Sequence, residues 1–192
     1  MQANGANMIK IAFIGPQASG KSSLAKKTHD ICRRRGMKTI LISEVADKCP
    51  YPINEESTVE AQRWIWFEQL RQEIVAQNEK PAAIICDRSL MDNMVYLASI
   101  GGDEAKELFA ELYQVSHEWM RSYDAVVRMP LNLAWLQSGN NPKRSKNVDF
   151  AMRIDAIFTN LADRYANVEA DDLLEMLQHV STLKFGIGGD SL

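Results

Sequence analysis

Eight residues, GPQASGKS from Gly15 to Ser22, constrain this chain more than any others. They join an apolar run, IKIAFIG (Ile9–Gly15), to a helix-forming stretch that opens at Lys21. The pattern G-x-x-x-x-G-K-[ST] is a phosphate cradle when a buried strand leads in and a helix leads out. Its glycines let backbone N–H groups converge on phosphate oxygens, and the helix N-terminus adds partial positive charge. A strand that is apolar almost throughout is covered on both faces, as in a parallel sheet flanked by helices. The fold class follows as α/β.

The rest of the chain repeats this alternation. The reading predicts a helix over Lys21–Arg35, closed by Gly36, and a strand at KTILISEV (Lys38–Val45). A long helix over Glu55–Asn78 follows, with Val59, Trp66, Phe67, Leu70 and Ile74 on its inward stripe, and Pro81 ends it. AAIICD (Ala82–Asp87) is a third strand, followed by helices over Met91–Ile100 and Asp103–Ser122. DAVVRMP (Asp124–Pro130) is a fourth strand, and Val148–Tyr165 a helix. ANVEA (Ala166–Ala170) is a weak fifth strand, and Asp171–Lys184 a last helix. At 192 residues without repeat or linker, the chain reads as one domain over 1–192. Residues 1–8 and 186–192 are expected as flexible tails, and 137–147 as a lid loop.

Bulk properties narrow the partners. A net charge of −3 leaves no basic field for a nucleic-acid backbone, so a polynucleotide is disfavoured. The three cysteines have no C-x-x-C spacing and the three histidines are scattered, so neither zinc nor a disulfide framework is suggested. A reduced, cytoplasmic setting is the expectation. The opening MQANGAN has no charged and apolar halves of a signal peptide, and no apolar run reaches membrane-spanning length.

In open parallel sheets ligands bind beyond the carboxyl ends of the strands, and Gly15, Glu44 and Asp87 all fall there. The backbone of Gly15, Pro16, Gln17, Ala18, Ser19, Gly20, Lys21, Ser22 and Ser23 would wrap the phosphates of ATP. Lys21 would reach the β- and γ-phosphates, and Ser22 would ligate Mg²⁺. In CDRS (Cys86–Ser89), Asp87 is placed for the same Mg²⁺ and Arg88 for the transferred phosphate or the acceptor; the alternative is an Asp–Arg pair capping the next helix. Glu44 is either the base for an acceptor hydroxyl or a solvated capping residue. Gln62 lies on the inward face of its helix, where it satisfies a buried backbone group or reads a substrate ring. Trp64, Trp66 and Phe67 read as core, with room for one to wall the acceptor pocket. QSGNNPKRSKN (Gln137–Asn147) gathers Lys143, Arg144 and Lys146, with Arg153 on the helix beyond, and reads either as a cationic flap over polyphosphate or as a solvated surface loop.

Together these residues resemble the P-loop small-molecule kinases: thymidylate kinases, deoxynucleoside kinases, and the AAA-like ATP-binding group that contains bacterial ribosylnicotinamide kinase. The similarity spans about Lys10 to Leu183. The Walker motif is its specific part; DRSLMDNMVY (Asp87–Tyr96) is similar to the D/E-R-S motif of nucleoside and thymidylate kinases, and NVDFAMRID (Asn147–Asp155) to the segment leaving their lid. The proline that follows the acidic residue in deoxynucleoside kinases is Val45 here, and the lid carries few arginines. The resemblance implies a three-layer P-loop fold with five parallel strands in order 2-3-1-4-5, ATP with Mg²⁺, and a small nucleoside- or nucleotide-like acceptor. It implies catalytic roles for Lys21, Glu44, Asp87, Arg88 and Arg144, with Glu44, Gln62, Arg88 and Arg153 on the acceptor. A homodimer is compatible with it. A regulatory ATPase with a protein partner, and a polynucleotide 5′-end kinase, stand as alternatives. No N-K-x-D motif marks a GTPase.

Overall fold

The computed structural model describes residues 8–138 and 145–179. Four parallel strands form one sheet: β1 (Ile9–Ile14), β2 (Thr39–Ile42), β3 (Ala83–Asp87) and β4 (Ala125–Arg128), in the order β2-β3-β1-β4. β1 lies between β3 and β4, with Phe13 opposite both Asp87 and Val127. Because all strands run the same way, Gly15, Glu44 and Asp87 arrive at one edge.

Alternation along the strands makes two cores. Ile11, Phe13, Ile85 and Val127 pack on one side against α1 (Lys21–Arg34) and α7 (Ala170–His179), through Ala25, Cys32, Leu173 and Leu177. Ala12, Ile14, Ile84, Cys86 and Val126 face the other side. That face is covered by α2 (Val59–Asn78), α3 (Leu90–Ile100), α4 (Gly102–Met120) and α6 (Val148–Leu161). A short helix α5 (Leu133–Ser138) follows β4. No helix among the described residues is long and apolar enough to cross a membrane.

The expected fifth strand is not there. ANVEA contributes a single bridge, Val168 to Val127, so among the described residues the sheet has four strands rather than five. The Asn167 side chain explains the difference: its Oδ1 accepts from Val126 N (2.7 Å), and a side chain occupies a position where a ladder needs backbone. Asn167 N and Val168 N both donate to the same Val126 carbonyl (3.1 and 3.4 Å), and α7 begins two residues later.

The stripe of α2 also differs. Its buried residues are Val59, Ala61, Gln62, Ile65, Trp66, Gln69, Glu73 and Ala76, while Phe67 and Ile74 are exposed. An apolar count misplaces this face because it holds polar groups that a buried cation demands. Lys10, the second residue of β1, is fully buried and pairs with Glu73 at 2.7 Å. Its ammonium donates to Ser122 Oγ (2.8 Å) and lies 4.5 and 4.4 Å from the Trp119 and Tyr123 rings. Glu73 accepts from Gln69 Nε2, Trp119 Nε1 and the Tyr123 hydroxyl, at 2.7, 2.7 and 2.8 Å. A buried ion pair survives only with such complete hydrogen bonding.

Candidate active site

The cradle starts where β1 runs out. Gly15 has φ 142°, and a Cβ there would lie 2.2 Å from the Met129 carbonyl oxygen, so β4 leaves no room for a side chain. Ala18 and Gly20 also have positive φ, 57° and 87°, which curls the backbone before α1 begins. Gly20 is the N-cap of α1, and Ser22 and Ser23 are exposed in its first turn. Lys21 is buried and folds back on its own loop, donating to Pro16 O (2.5 Å) and Ser19 Oγ (3.1 Å). Burial, then the nearby Arg88 charge, lowers its ammonium from 10.5 to about 7, against the pull of Asp92, Glu44 and Asp87. The expected carboxylates therefore share the field of Lys21.

β3 delivers Asp87 and Arg88 side by side. Asp87 takes a hydrogen bond from the Ser22 hydroxyl, and burial followed by the Glu44 charge raises its carboxyl above the usual range. Its Oδ1 is buried without a hydrogen-bond partner among the described residues. An orphaned carboxylate oxygen beside a serine hydroxyl is the hard-oxygen donor set that suits Mg²⁺, so the residues present fit that ion.

Arg88 has φ 96°, a conformation that costs of order 1–3 kcal/mol in a non-glycine residue and persists only where surroundings enforce it. Here they do. Its N–H donates to Phe13 O (3.1 Å), and its carbonyl receives Gln69 Nε2 at 3.4 Å. Its guanidinium places Nε and Nη2 each 2.7 Å from Glu44 Oε1, and it lies 5.1 Å from the Tyr96 ring. Burial works against this cation, but Glu44 and the other neighbours outweigh it and hold it well above its ordinary range.

The D-R-S motif is also a helix start. Ser89, not the Asp–Arg pair, caps α3, in a capping box with Asp92. Asp92 Oδ2 accepts from Ser89 N and Oγ (2.9 and 2.8 Å), while Oδ1 accepts from Gly15 N at 3.3 Å and faces Arg88 Nη1 at 3.7 Å. One carboxylate thus joins the first glycine of the cradle to the arginine. Sequence reasoning missed it, although S-x-x-D before an apolar run is a readable signal.

Two cavities are lined by these groups, one by Glu44 and Arg88 and the other by Lys21 and Ser22. The first is a pocket lined by Glu44, Asp47, Gln62, Arg88, Asn93 and Tyr96, with Ile53 and Ile65 among its apolar walls. Gln62 Nε2 donates to Ser57 Oγ (2.8 Å), a side-chain partner rather than a backbone group. The Tyr96 hydroxyl donates to Gln17 Oε1 (3.0 Å), tying this cavity to the cradle. Ile65, not a tryptophan, contributes to the wall: Trp66 is buried in the core on Ser116, and Trp64 and Phe67 line an outer groove. The other cleft, about 680 Å³ and open, runs over Ala18–Ser23 and is closed opposite by Trp135, Leu136, Ser145 and Lys146.

Arg153 is exposed over the Phe150 ring (5.5 Å) and lines neither cavity. Arg144 and Lys143 lie outside the described residues. Of the expected lid, Gln137 and Ser138 close α5, and Ser145 is tied to Glu55. Among the described residues no cluster of histidine, cysteine and carboxylates is arranged to hold a metal, and the three cysteines are free.

Comparisons agree with this architecture. Deoxyadenosine kinase from M. mycoides, solved with bound dATP, superposes with a TM-score of 0.62 at 16% identity, over 91% of this chain and 100% of that one. The shared fold is kinase-like. No curated protein matches the sequence. The family model of the AAA domain aligns with residues 10–171, from inside β1 to the opening turn of α7. By that match, over most of its length, the chain belongs to the AAA domain family.

Proposed function

We propose that the protein transfers the γ-phosphate of ATP to a hydroxyl of a small, uncharged, nucleoside-like acceptor. The observation that carries this reading is the pocket lined by Glu44 and Arg88, whose charges also act on Lys21. Arg88 is the one cation among the described residues lining it, and it is already engaged by Glu44. A phosphate acceptor would need a second cation; a hydroxyl needs a carboxylate. The likeness to a deoxyadenosine kinase supports a nucleoside-like acceptor, though at 16% identity it speaks for the fold.

In this mechanism the cradle amides and Lys21 hold the triphosphate. Ser22 and Asp87 would hold Mg²⁺, which supplies charge neutralisation at the phosphates. Glu44 Oε1, fixed by Arg88, sits at the rim of the acceptor cavity, where it orients the hydroxyl and takes its proton. Arg88 neutralises charge as the phosphoryl group moves. Gln62 and Asn93 present amides to the acceptor.

The test is ADP release against a panel of nucleosides, nucleoside monophosphates and ribosylnicotinamide. Stimulation by an uncharged nucleoside is expected; stimulation only by a protein would replace this reading with a regulatory ATPase. With the responding acceptor, Glu44→Gln is expected to lower kcat by about 10²–10⁴-fold while nucleotide affinity stays within about threefold. Equal loss of nucleotide binding would remove Glu44 from the acceptor side.

Proton linkage provides a second check. Triphosphate beside Lys21 favours its charged form, so binding above about pH 7 must draw a proton to it. Calorimetry in two buffers of different ionisation enthalpy should show net uptake approaching one proton at about pH 8.5. Affinity should fall by up to about tenfold per pH unit above that. Binding without proton uptake would contradict a lowered Lys21.

A further inference from the structure

Trp135 sits at the mouth of the phosphate cradle, half-exposed among the described residues. It projects from α5, whose backbone is pinned by Asn132: Oδ1 accepts from Trp135 N (3.1 Å) and the carbonyl from Leu136 N (3.0 Å). Leu136 anchors that short helix at 2% exposure, while Trp135 beside it is 53% exposed. The indole lies against Gly20: a Cβ there would be 2.5 Å from Trp135 Cζ3 and 3.3 Å from Cη2. So the second motif glycine serves the turn and also admits an aromatic plane to the mouth of the cradle. The same cleft carries Ser19, Lys21, Ser22 and Ser23 on one wall, and Ser145 and Lys146 beside the indole.

We propose that Trp135 is the stacking platform for the base of the donor nucleotide. The inference rests on the reading of Gly15–Ser23 as a triphosphate cradle and adds a residue that grips the other end of the same molecule. A large exposed aromatic face at the rim of a polar, cationic cleft suits a flat heterocycle joined to a polyphosphate. The described residues lining this cleft carry hydroxyls and ammonium groups but no carboxamide or carboxylate to read a base edge. A contact made through ring area favours purine nucleotides over pyrimidine nucleotides.

The full chain is titrated by calorimetry with ATP, GTP, CTP and tripolyphosphate, each with Mg²⁺, and the ATP titration is also followed by tryptophan fluorescence. ATP and GTP are expected to bind within about fivefold of each other, and roughly 10- to 100-fold more tightly than tripolyphosphate. Trp135→Leu should bring ATP down to the tripolyphosphate level and leave tripolyphosphate unchanged. Trp135→Phe should keep ATP affinity within about threefold while removing the fluorescence change, since Trp66 and Trp119 are held in the core and Trp64 faces another groove. ATP binding unaffected by Trp135→Leu overturns the proposal, and so does equal loss of ATP and tripolyphosphate, which would make the indole a prop for the loop. A wild-type chain that binds tripolyphosphate but gains nothing from the base defeats the stacking role alone. One that binds neither ligand defeats the cradle as well.

Discussion

Lys21→Ala should lower turnover by about 100- to 1,000-fold, measured as ADP release with saturating acceptor. Lys21 is buried in the wall of the cradle cleft, and the four charges that act on it, Arg88, Asp92, Glu44 and Asp87, belong to the site. No other described cation lines the cradle as deeply: Lys146 is exposed on the far wall. Alanine removes the charge that would meet developing negative charge on the phosphoryl oxygens. The loss should appear in kcat as well as KM, because that interaction strengthens in the transition state. A loss confined to KM would mean Lys21 only binds.

Loss of the same charge should not harm the ligand-free fold. The folded state releases the Lys21 proton near pH 7 and the unfolded chain near 10.5, so the unfolded chain binds more protons between these values. Lys21 alone thus makes folding less favourable as pH falls from about 10.5 to 7. Lys21→Met should melt no lower than wild type at neutral pH, while being nearly inactive. Together the two results separate a functional lysine from a structural one.

Glu73→Ala is expected to be the most damaging single change to stability, by about 3–5 kcal/mol, which lowers Tm by about 10–15 °C. It would strand the Lys10 ammonium, fully buried under Trp119 and Tyr123, with Ser122 as its remaining hydrogen-bond partner among the described residues. It would also leave Gln69, Trp119 and Tyr123 without their shared acceptor. The double variant Lys10→Met with Glu73→Leu should recover most of the loss, since well-packed apolar groups replace such pairs at little cost. Thermal unfolding of the three variants decides the matter. A Glu73→Ala protein that melts within about 2 °C of wild type would show the pair to be idle.

Lys10 also marks where sequence reading stops. The cradle, the alternation of strands and helices, and the gathering of Glu44 and Asp87 at one sheet edge follow from local pattern, because each depends on neighbours in the chain. The inward face of α2 does not. Gln69 and Glu73 point inward to serve a lysine that is distant in sequence, so hydrophobicity assigns Phe67 and Ile74 to the core and puts both wrong. The Arg88–Glu44 pair was equally hidden, since 44 residues separate its members. Asp92 was within reach as half of a capping box, but its grip on Gly15 N was not, because only the folded sheet brings them together. Trp135 gave no periodic signal at all.

Asn167 has a consequence beyond the missing strand. A β4 edge with open N–H and C=O groups would be a template on which another molecule could extend the sheet. With its side-chain oxygen on the Val126 N–H and its own backbone N–H on the Val126 carbonyl, Asn167 acts as a plug. It fills the docking points at Val126 without presenting a fresh ladder of its own. The chain ends its sheet there much as a terminator ends a polymer, and growth into fibres from that side is discouraged at the cost of one polar side chain.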